Sequence, residues 1–154
     1  IENCLRLYDS WYEQNQDKVE GTEVLVAAPK FGYGGMIDRL VYSRKWGKVI
    51  DDYKTSKGFF LDNFIQAAGY SLAAFDWLNT HIDTYRILLF SKTAADFHTL
   101  IVTGDAWLLD DKKLPDFGIN QVGLRRQFLR NLASMKFHKA GEKMFDSIYE
   151  DLKV

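Results

Sequence analysis

Apolar and polar residues alternate for part of the length of two neighbouring segments, Met36 to Tyr42 and Val49 to Thr55. Alternation with a period of two is typical of a half-buried strand. The polar segment between them, Ser43 to Lys48, contains Gly47 and indicates a tight turn. We therefore predict a β-hairpin in this part of the chain.

The pattern predicts further elements on both sides of the hairpin. Before it lie an amphipathic helix and a strand, indicated by Leu5, Tyr8, Trp11 and Tyr12 and by the apolar run Val24 to Ala28. After it, a helix has an apolar stripe with Asp62 as N-cap, made of Leu61, Ile65, Ala68, Leu72 and Phe75. A second hairpin is predicted at 85–91 and 97–103, and helices at 105–111, 119–136 and 139–152. This order favours the α/β class, with a mixed central sheet flanked by helices.

Composition supports one folded unit. The 154 residues are 47% hydrophobic and 15% aromatic, enough for one core and little for two. Two prolines and the absence of a repeat or low-complexity linker give no sign of a boundary. We expect a single domain over residues 1–154.

The hairpin carries two acids and a lysine. Side chains two apart on a strand share a face, so Asp52 and Lys54 project together, while Asp51 and Tyr53 project to the other face. Substitution of Asp51 should therefore be far milder than substitution of Asp52.

The turn decides which face Asp38 occupies. A three-residue loop at 45–47, with Gly47 in the left-handed conformation, places Asp38 opposite Lys54 and diagonal to Asp52. A four-residue loop would turn Asp38 to the other face, because register has a period of two.

Two carboxylates on one patch repel each other and usually need a cation between them. Hard oxygen ligands suit Mg²⁺ or Mn²⁺. Such an ion would polarise a phosphodiester and activate a water, with Lys54 orienting the water or stabilising the transition state. The alternative interpretation is a pair of surface acids matched with Arg39 and Lys54 in structural ion pairs.

Three short motifs follow one another in this region: Gly-x-x-Asp at 35–38, Asp-x-Lys-Thr at 52–55 and Gln-x-x-x-Tyr at 66–70. Together they resemble the PD-(D/E)XK nuclease superfamily. The resemblance is strongest to its exonuclease branch, which includes RecB-type nuclease domains, phage exonucleases and the mitochondrial genome maintenance exonuclease. It covers about residues 20 to 75 and implies a restriction-endonuclease-like core.

The resemblance also implies roles for individual residues. Asp38 and Asp52 would ligate Mg²⁺ or Mn²⁺, with Tyr53 as a further ligand and Lys54 as the catalytic lysine. An upstream acid would complete the site. Glu20 and Glu23 both precede the strand at 24–28. We assign the role to Glu23, which stands directly at the start of the strand as in the family's pattern, and keep Glu20 in reserve.

Gln66 and Tyr70 are the helix residues that the resemblance places beside the active site. They are four apart, so they share one edge of the predicted helix. Without the resemblance, an amide and a phenol flanking a core-facing stripe would be the simpler interpretation.

Charge is balanced, with 20 basic and 21 acidic residues, so no strong global field attracts a polyanion. DNA binding would be local, and the candidates are Arg39, Lys57, Arg126 and Arg130. Arg126 and Arg130 share a helix face that could instead be simply solvated. Trp46, Phe59 and Phe60 could stack on bases or pack in the core.

The single cysteine, Cys4, excludes an internal disulfide and a four-cysteine cluster, and the three histidines lack metal-ligand spacing. No signal peptide or membrane-spanning run is visible, so we expect no membrane association and an intracellular protein, in the cytoplasm of a bacterium or phage-infected cell or in a mitochondrion. The chain starts at Ile1 without Met, as expected of a trimmed fragment of a longer protein. A larger chain or a homo-oligomer is therefore the expected context.

These observations predict a metal-dependent deoxyribonuclease, most simply an exonuclease in DNA processing, recombination or repair. The preference for an exonuclease comes from the resemblance alone. Two alternatives remain open: a structure-dependent endonuclease on the same fold, and a catalytically silent nuclease-like domain that binds nucleic acid or a partner.

Overall fold

A computed structural model describes residues 2–94 and 96–152 of the chain. Within these residues, helices and strands follow in this order: α1 (Glu2–Asn15), β1 (Lys18–Ala28), β2 (Tyr33–Ser43), β3 (Gly47–Lys54), α2 (Leu61–Leu78), β4 (Thr84–Phe90), β5 (Phe97–Thr103), β6 (Ala106–Leu109), β7 (Lys112–Lys113) and α3 (Gln121–Leu152). The prediction of a sheet flanked by helices is confirmed. No helix in these ranges combines the length and the apolarity needed to cross a membrane.

The seven strands lie in the sheet in chain order. Neighbouring strands are antiparallel except β3 and β4, which are parallel. A parallel connection needs a crossover, and α2 supplies it. The sheet is therefore mixed, as predicted, and α2 lies over the strands that carry the candidate catalytic residues.

Each face of the sheet has its own buried cluster. On one face, here called the α2 face, Phe64 of α2 and Leu124 of α3 pack in a core that includes Ile87. On the other, the α1 face, Trp11 packs with Leu88. Since consecutive strand residues point to opposite faces, β4 contributes to both clusters.

The β2–β3 hairpin turns one residue earlier than predicted. Ser43 pairs with Gly47, so the loop is Arg44-Lys45-Trp46, and Gly47 has the expected left-handed φ of 70°. When the pairing of Arg39 with Asp51 is continued by one residue, Asp38 lies beside Asp52 and not opposite Lys54. The predicted cross-strand partner of Asp38 was therefore wrong by two positions. Because side chains alternate with a period of two, Asp38 still lies on the predicted face.

Near the C-terminus, the predicted helix at 105–111 was wrong, and the predicted break between the other two helices is absent. The segment 105–111 contains β6, which is held between two tight turns, and Asp110 and Asp111 both have positive φ, at 48° and 65°. The segments 119–136 and 139–152 form one helix, α3, because no proline or glycine interrupts the chain at 137–138.

The start of α2 also differs from the prediction. Phe60, not Asp62, is the N-cap residue, and its backbone N–H donates to the Asn63 side chain at 3.2 Å. The centre of the predicted stripe is buried, but Leu61 and Phe75 at its ends are exposed. The buried side of the helix is therefore centred on smaller residues than the stripe indicated.

Candidate active site

The candidate site lies where β2 and β3 separate. The pairing of the two strands ends at Arg39 and Asp51. Beyond this pair, the Tyr53 backbone N–H donates to Asp38 Oδ2 at 2.8 Å. A carboxylate thus takes the place of a backbone acceptor, and this bond fixes the side chain of Asp38 against the strand that carries Asp52 and Lys54.

Asp52 and Lys54 form the predicted pair. Lys54 Nζ lies 2.9 Å from Asp52 Oδ2. Asp52 is only 5% exposed, whereas about a quarter of the Lys54 side chain reaches solvent. The buried Oδ2 therefore has the Lys54 ammonium as its ionic partner. A carboxylate oxygen can accept from more than one partner, so a metal ion can still bind it.

The charges at this site oppose one another. Burial raises the pKa of Asp52, contact with the Lys54 ammonium acts against this rise, and the nearby Asp38 carboxylate adds to it. The ionised form of Asp52 is therefore disfavoured in the folded chain. A cation bound between the two carboxylates would remove this penalty.

Helix α2 brings Tyr70 to the acids, with Gln66 beside it on the same helix. Gln66 Nε2 donates to the Tyr70 hydroxyl at 2.9 Å. Burial raises the pKa of Tyr70, and the negative charges of Asp52 and Asp38 raise it further. The phenol therefore lies within the field of both carboxylates and remains protonated at neutral pH.

The Tyr70 ring packs directly against the backbone of Gly35. A Cβ added at Gly35 would lie 2.5 Å from Cε1 of the Tyr70 ring, too close for any side chain. Sequence reasoning missed this role. A glycine within a strand often marks a close approach of another group, and that signal could have identified Gly35.

The structure does not bring Glu23 to the acidic pair. Among the described residues, no group of three or more His, Cys, Asp and Glu side chains could hold a metal. The alternation of β2 breaks beside Glu23, since Ile37 and Leu40 are three apart yet both enter the α2-face core. Glu23 itself has a positive φ of 50° and is exposed. The reserve candidate, Glu20, pairs with Lys48 at 3.0 Å.

The side chain of Tyr53 is also remote from the acids. It lies on the α1 face, where its ring meets Tyr8 at 5.5 Å between centroids. Only its backbone can face the site. In a strand the N–H and C=O of one residue point to the same neighbour, so the Tyr53 carbonyl points toward the side of Asp38.

Arg39 was predicted to bind DNA, and that prediction was wrong. Its side chain is 1% exposed, and its Nε lies 3.2 Å from Asp51 Oδ2 on the α1 face. Asp51 is fully buried and also accepts two hydrogen bonds from Arg86, at 2.6 and 3.0 Å. Arg86 in turn donates to Asp17 at 2.8 Å. A buried cluster of four charges cannot contact a nucleic-acid strand.

The remaining predicted DNA contacts, Lys57, Arg126 and Arg130, are exposed. A cavity of about 710 Å³ opens elsewhere, beside Arg86 and Trp46, and none of the candidate catalytic residues lines it.

Comparison of the chain with known protein families found no family that matches, and comparison with curated proteins found no match. The residues of the site therefore carry the functional argument.

Proposed function

We propose that this protein is a metal-dependent DNA nuclease that hydrolyses phosphodiester bonds. The observation that carries the proposal is the convergence of Asp38, Asp52 and Lys54 where β2 and β3 separate, with Tyr70 of α2 close to both acids. A restriction-endonuclease-like core is part of the proposal. The mixed sheet, with α2 joining the parallel strands β3 and β4, supports it.

The residues present fit Mg²⁺ or Mn²⁺. Both carboxylates and the Tyr53 carbonyl are hard oxygen donors, which these ions prefer. Mg²⁺ is commonly held by one or two carboxylates with water and substrate phosphate, so the absence of Glu23 from the site is compatible with binding. The buried Oδ2 of Asp52 is paired with Lys54 and has the lone-pair capacity for a second cation, which supports the fit.

A bound divalent ion would supply charge for the phosphoryl oxygens and lower the pKa of water. The chain's own groups hold the reaction geometry. The Tyr53 N–H fixes Asp38, and the Lys54 ammonium offers its positive charge to the attacking water or to the developing negative charge. Tyr70 accepts from Gln66, so its own O–H is available to donate to a phosphate oxygen.

The exonuclease mode and a role in DNA recombination or repair belong to this proposal through the resemblance alone. A second candidate is a nuclease-like domain that binds nucleic acid without cutting it. One observation favours it: the described residues bring together two carboxylates and not three.

The test is cleavage of end-labelled linear single-stranded, linear duplex and circular DNA, with Mg²⁺, Mn²⁺ or EDTA. The variant is Lys54→Ala, and Lys48→Ala is its matched control, because Lys48 lies on the same strand with similar exposure but pairs with Glu20. We expect metal-dependent cleavage that Lys54→Ala lowers by about 100-fold or more and Lys48→Ala leaves unchanged.

Loss of linear substrates alone supports an exonuclease, and cutting of circles supports the endonuclease alternative. DNA binding without cleavage supports the silent domain. Unaltered turnover in Lys54→Ala would overturn the assignment of this site.

A further inference from the structure

A second polar region lies in the same row of the sheet as Lys54. Lys54 of β3 pairs with Leu89 of β4, and Leu89 pairs with His98 of β5. Paired residues of neighbouring strands project to the same face, so His98 shares the face of Lys54. Two strand spacings, about 10 Å, separate them.

A cavity of about 520 Å³ opens beside this row, at the carboxyl ends of β3 and β4. Its lining is rich in cationic and hydroxyl side chains, among them Thr55, Ser56, Lys57, Ser91, Lys92 and His98. The one acid in the lining is Asp96. Lysines and hydroxyl groups at short range are the donors that phosphate oxygens accept from.

His98 lies between two acids at the edge of the cavity, and its Nε2 is 3.7 Å from Asp96 Oδ2. Its Nδ1 lies 2.8 Å from Asp110 Oδ2. This hydrogen bond raises the pKa of His98, partial burial lowers it, and the charges of Asp110 and Asp96 raise it again. Asp110 is held in turn by the Thr99 backbone N–H at 2.8 Å, which fixes the imidazole over the cavity.

We infer that this cavity, here called the phosphate subsite, binds a backbone phosphate of the same nucleic-acid strand that is cut beside Asp52 and Lys54. The inference rests on the proposed function and extends it to a substrate contact. Because a strand of B-form DNA rises about 3.4 Å along the helix axis for each nucleotide, a separation of about 10 Å spans at most about three nucleotide steps. The phosphate held at Lys57 and Lys92 therefore lies within about three nucleotides of the cleaved bond.

The test compares two double variants that remove equal charge. Lys57→Gln with Lys92→Gln alters the phosphate subsite, and Lys112→Gln with Lys113→Gln alters exposed lysines of β7, four strands away from β3. The first measurement is the Kd of a single-stranded oligonucleotide in EDTA over a series of salt concentrations. The second is KM and kcat for its cleavage with Mg²⁺.

For the subsite variant we expect Kd and KM to rise by about tenfold and kcat to stay near the wild-type value. The slope of log Kd against log salt should fall by about 0.7, since the variant loses one phosphate contact and each contact on a single strand contributes about 0.7. The β7 variant should match the wild type in all three measurements.

A subsite variant that binds and cleaves like the β7 variant, while the wild type cleaves DNA, would overturn the phosphate subsite and leave the proposed function standing. A wild-type protein that neither binds nor cleaves DNA would overturn the proposed function, and this inference with it.

Discussion

Arg39 and Asp51 form a buried ion pair across β2 and β3, with Arg39 Nε 3.2 Å from Asp51 Oδ2. Each is the chain neighbour of a candidate catalytic acid, Asp38 or Asp52. Because successive strand residues point to opposite faces, the ion pair lies on the α1 face and the acids lie behind it. The ion pair therefore holds the two strands together at the point where the candidate site begins.

Replacement of Asp51 by alanine should destabilise the fold by about 3–5 kcal/mol, because it leaves the Arg39 and Arg86 guanidinium groups buried without their shared carboxylate. This reverses the expectation from strand alternation alone that the substitution would be mild. Urea unfolding measures the change. The control is Asp9→Ala, an exposed acid on α1, which should stay within about 0.5 kcal/mol of wild type. Equal stability of the two variants would show that the buried charge cluster does not stabilise the fold.

Asp38 should respond differently to two substitutions. Asp38→Asn keeps an oxygen that can accept from the Tyr53 N–H, whereas Asp38→Ala leaves that N–H without its partner. We expect both to abolish cleavage, and only Asp38→Ala to lose about 1–3 kcal/mol of unfolding free energy. Parallel activity and urea measurements check this. An Asp38→Asn protein that cleaves DNA at the wild-type rate would exclude Asp38 from the chemistry.

Asp52→Asn should be inactive but more stable than wild type at neutral pH without divalent metal. The pKa of Asp52 is raised in the folded chain, mainly by burial, so the folded state binds this proton more tightly than the unfolded state. The carboxylate therefore costs stability above its folded pKa, and that cost is removed as pH falls through the folded pKa toward the unfolded value. Lys54 reaches solvent and tolerates the loss of its partner.

Thermal melting at a series of pH values tests this, with and without Mg²⁺. The gap in Tm between Asp52→Asn and wild type should narrow on acidification, and Mg²⁺ should raise the Tm of wild type only. An equal Mg²⁺ effect on both proteins would place the metal elsewhere.

Gly35→Ala should lower activity by displacing Tyr70. The new Cβ would lie 2.5 Å from the Tyr70 ring, so the ring must move, and a shift of about 1 Å in a positioned group can cost about 100-fold in rate. Gly58→Ala is the control, since a Cβ there meets nothing within 4 Å. Steady-state kinetics of both variants, and of Gly35→Ala in a Tyr70→Ala background, check the mechanism. If the effect of Gly35→Ala persists without the Tyr70 ring, it does not act through that residue.

Local patterns sufficed for much of the site. The period of two in β3 predicted that Asp52 meets Lys54, and helical spacing predicted that Gln66 and Tyr70 lie together. These relationships depend on residues within one element. The exact position of the β2–β3 loop could not be predicted from the sequence, because loops at 44–46 and at 45–47 both allow Gly47 a left-handed conformation.

Long-range contacts were not predictable in this way. The sequence around Arg39 predicts an exposed cation on a strand. Contacts with Asp51 of β3 and with Trp11 and Tyr12 of α1 bury its side chain instead. The position of the Glu23 side chain depends on a break in strand alternation that no local sequence pattern indicates.

The division of β3 into two faces has an evolutionary consequence. Residues with even numbers at its end, Asp52 and Lys54, serve the proposed chemistry, whereas Asp51 holds the fold. Mutations at the two kinds of position are therefore selected separately. If the proposed chemistry is correct, a change at Lys54 would end cleavage and leave the fold intact, while a change at Asp51 would destabilise the fold that every function needs.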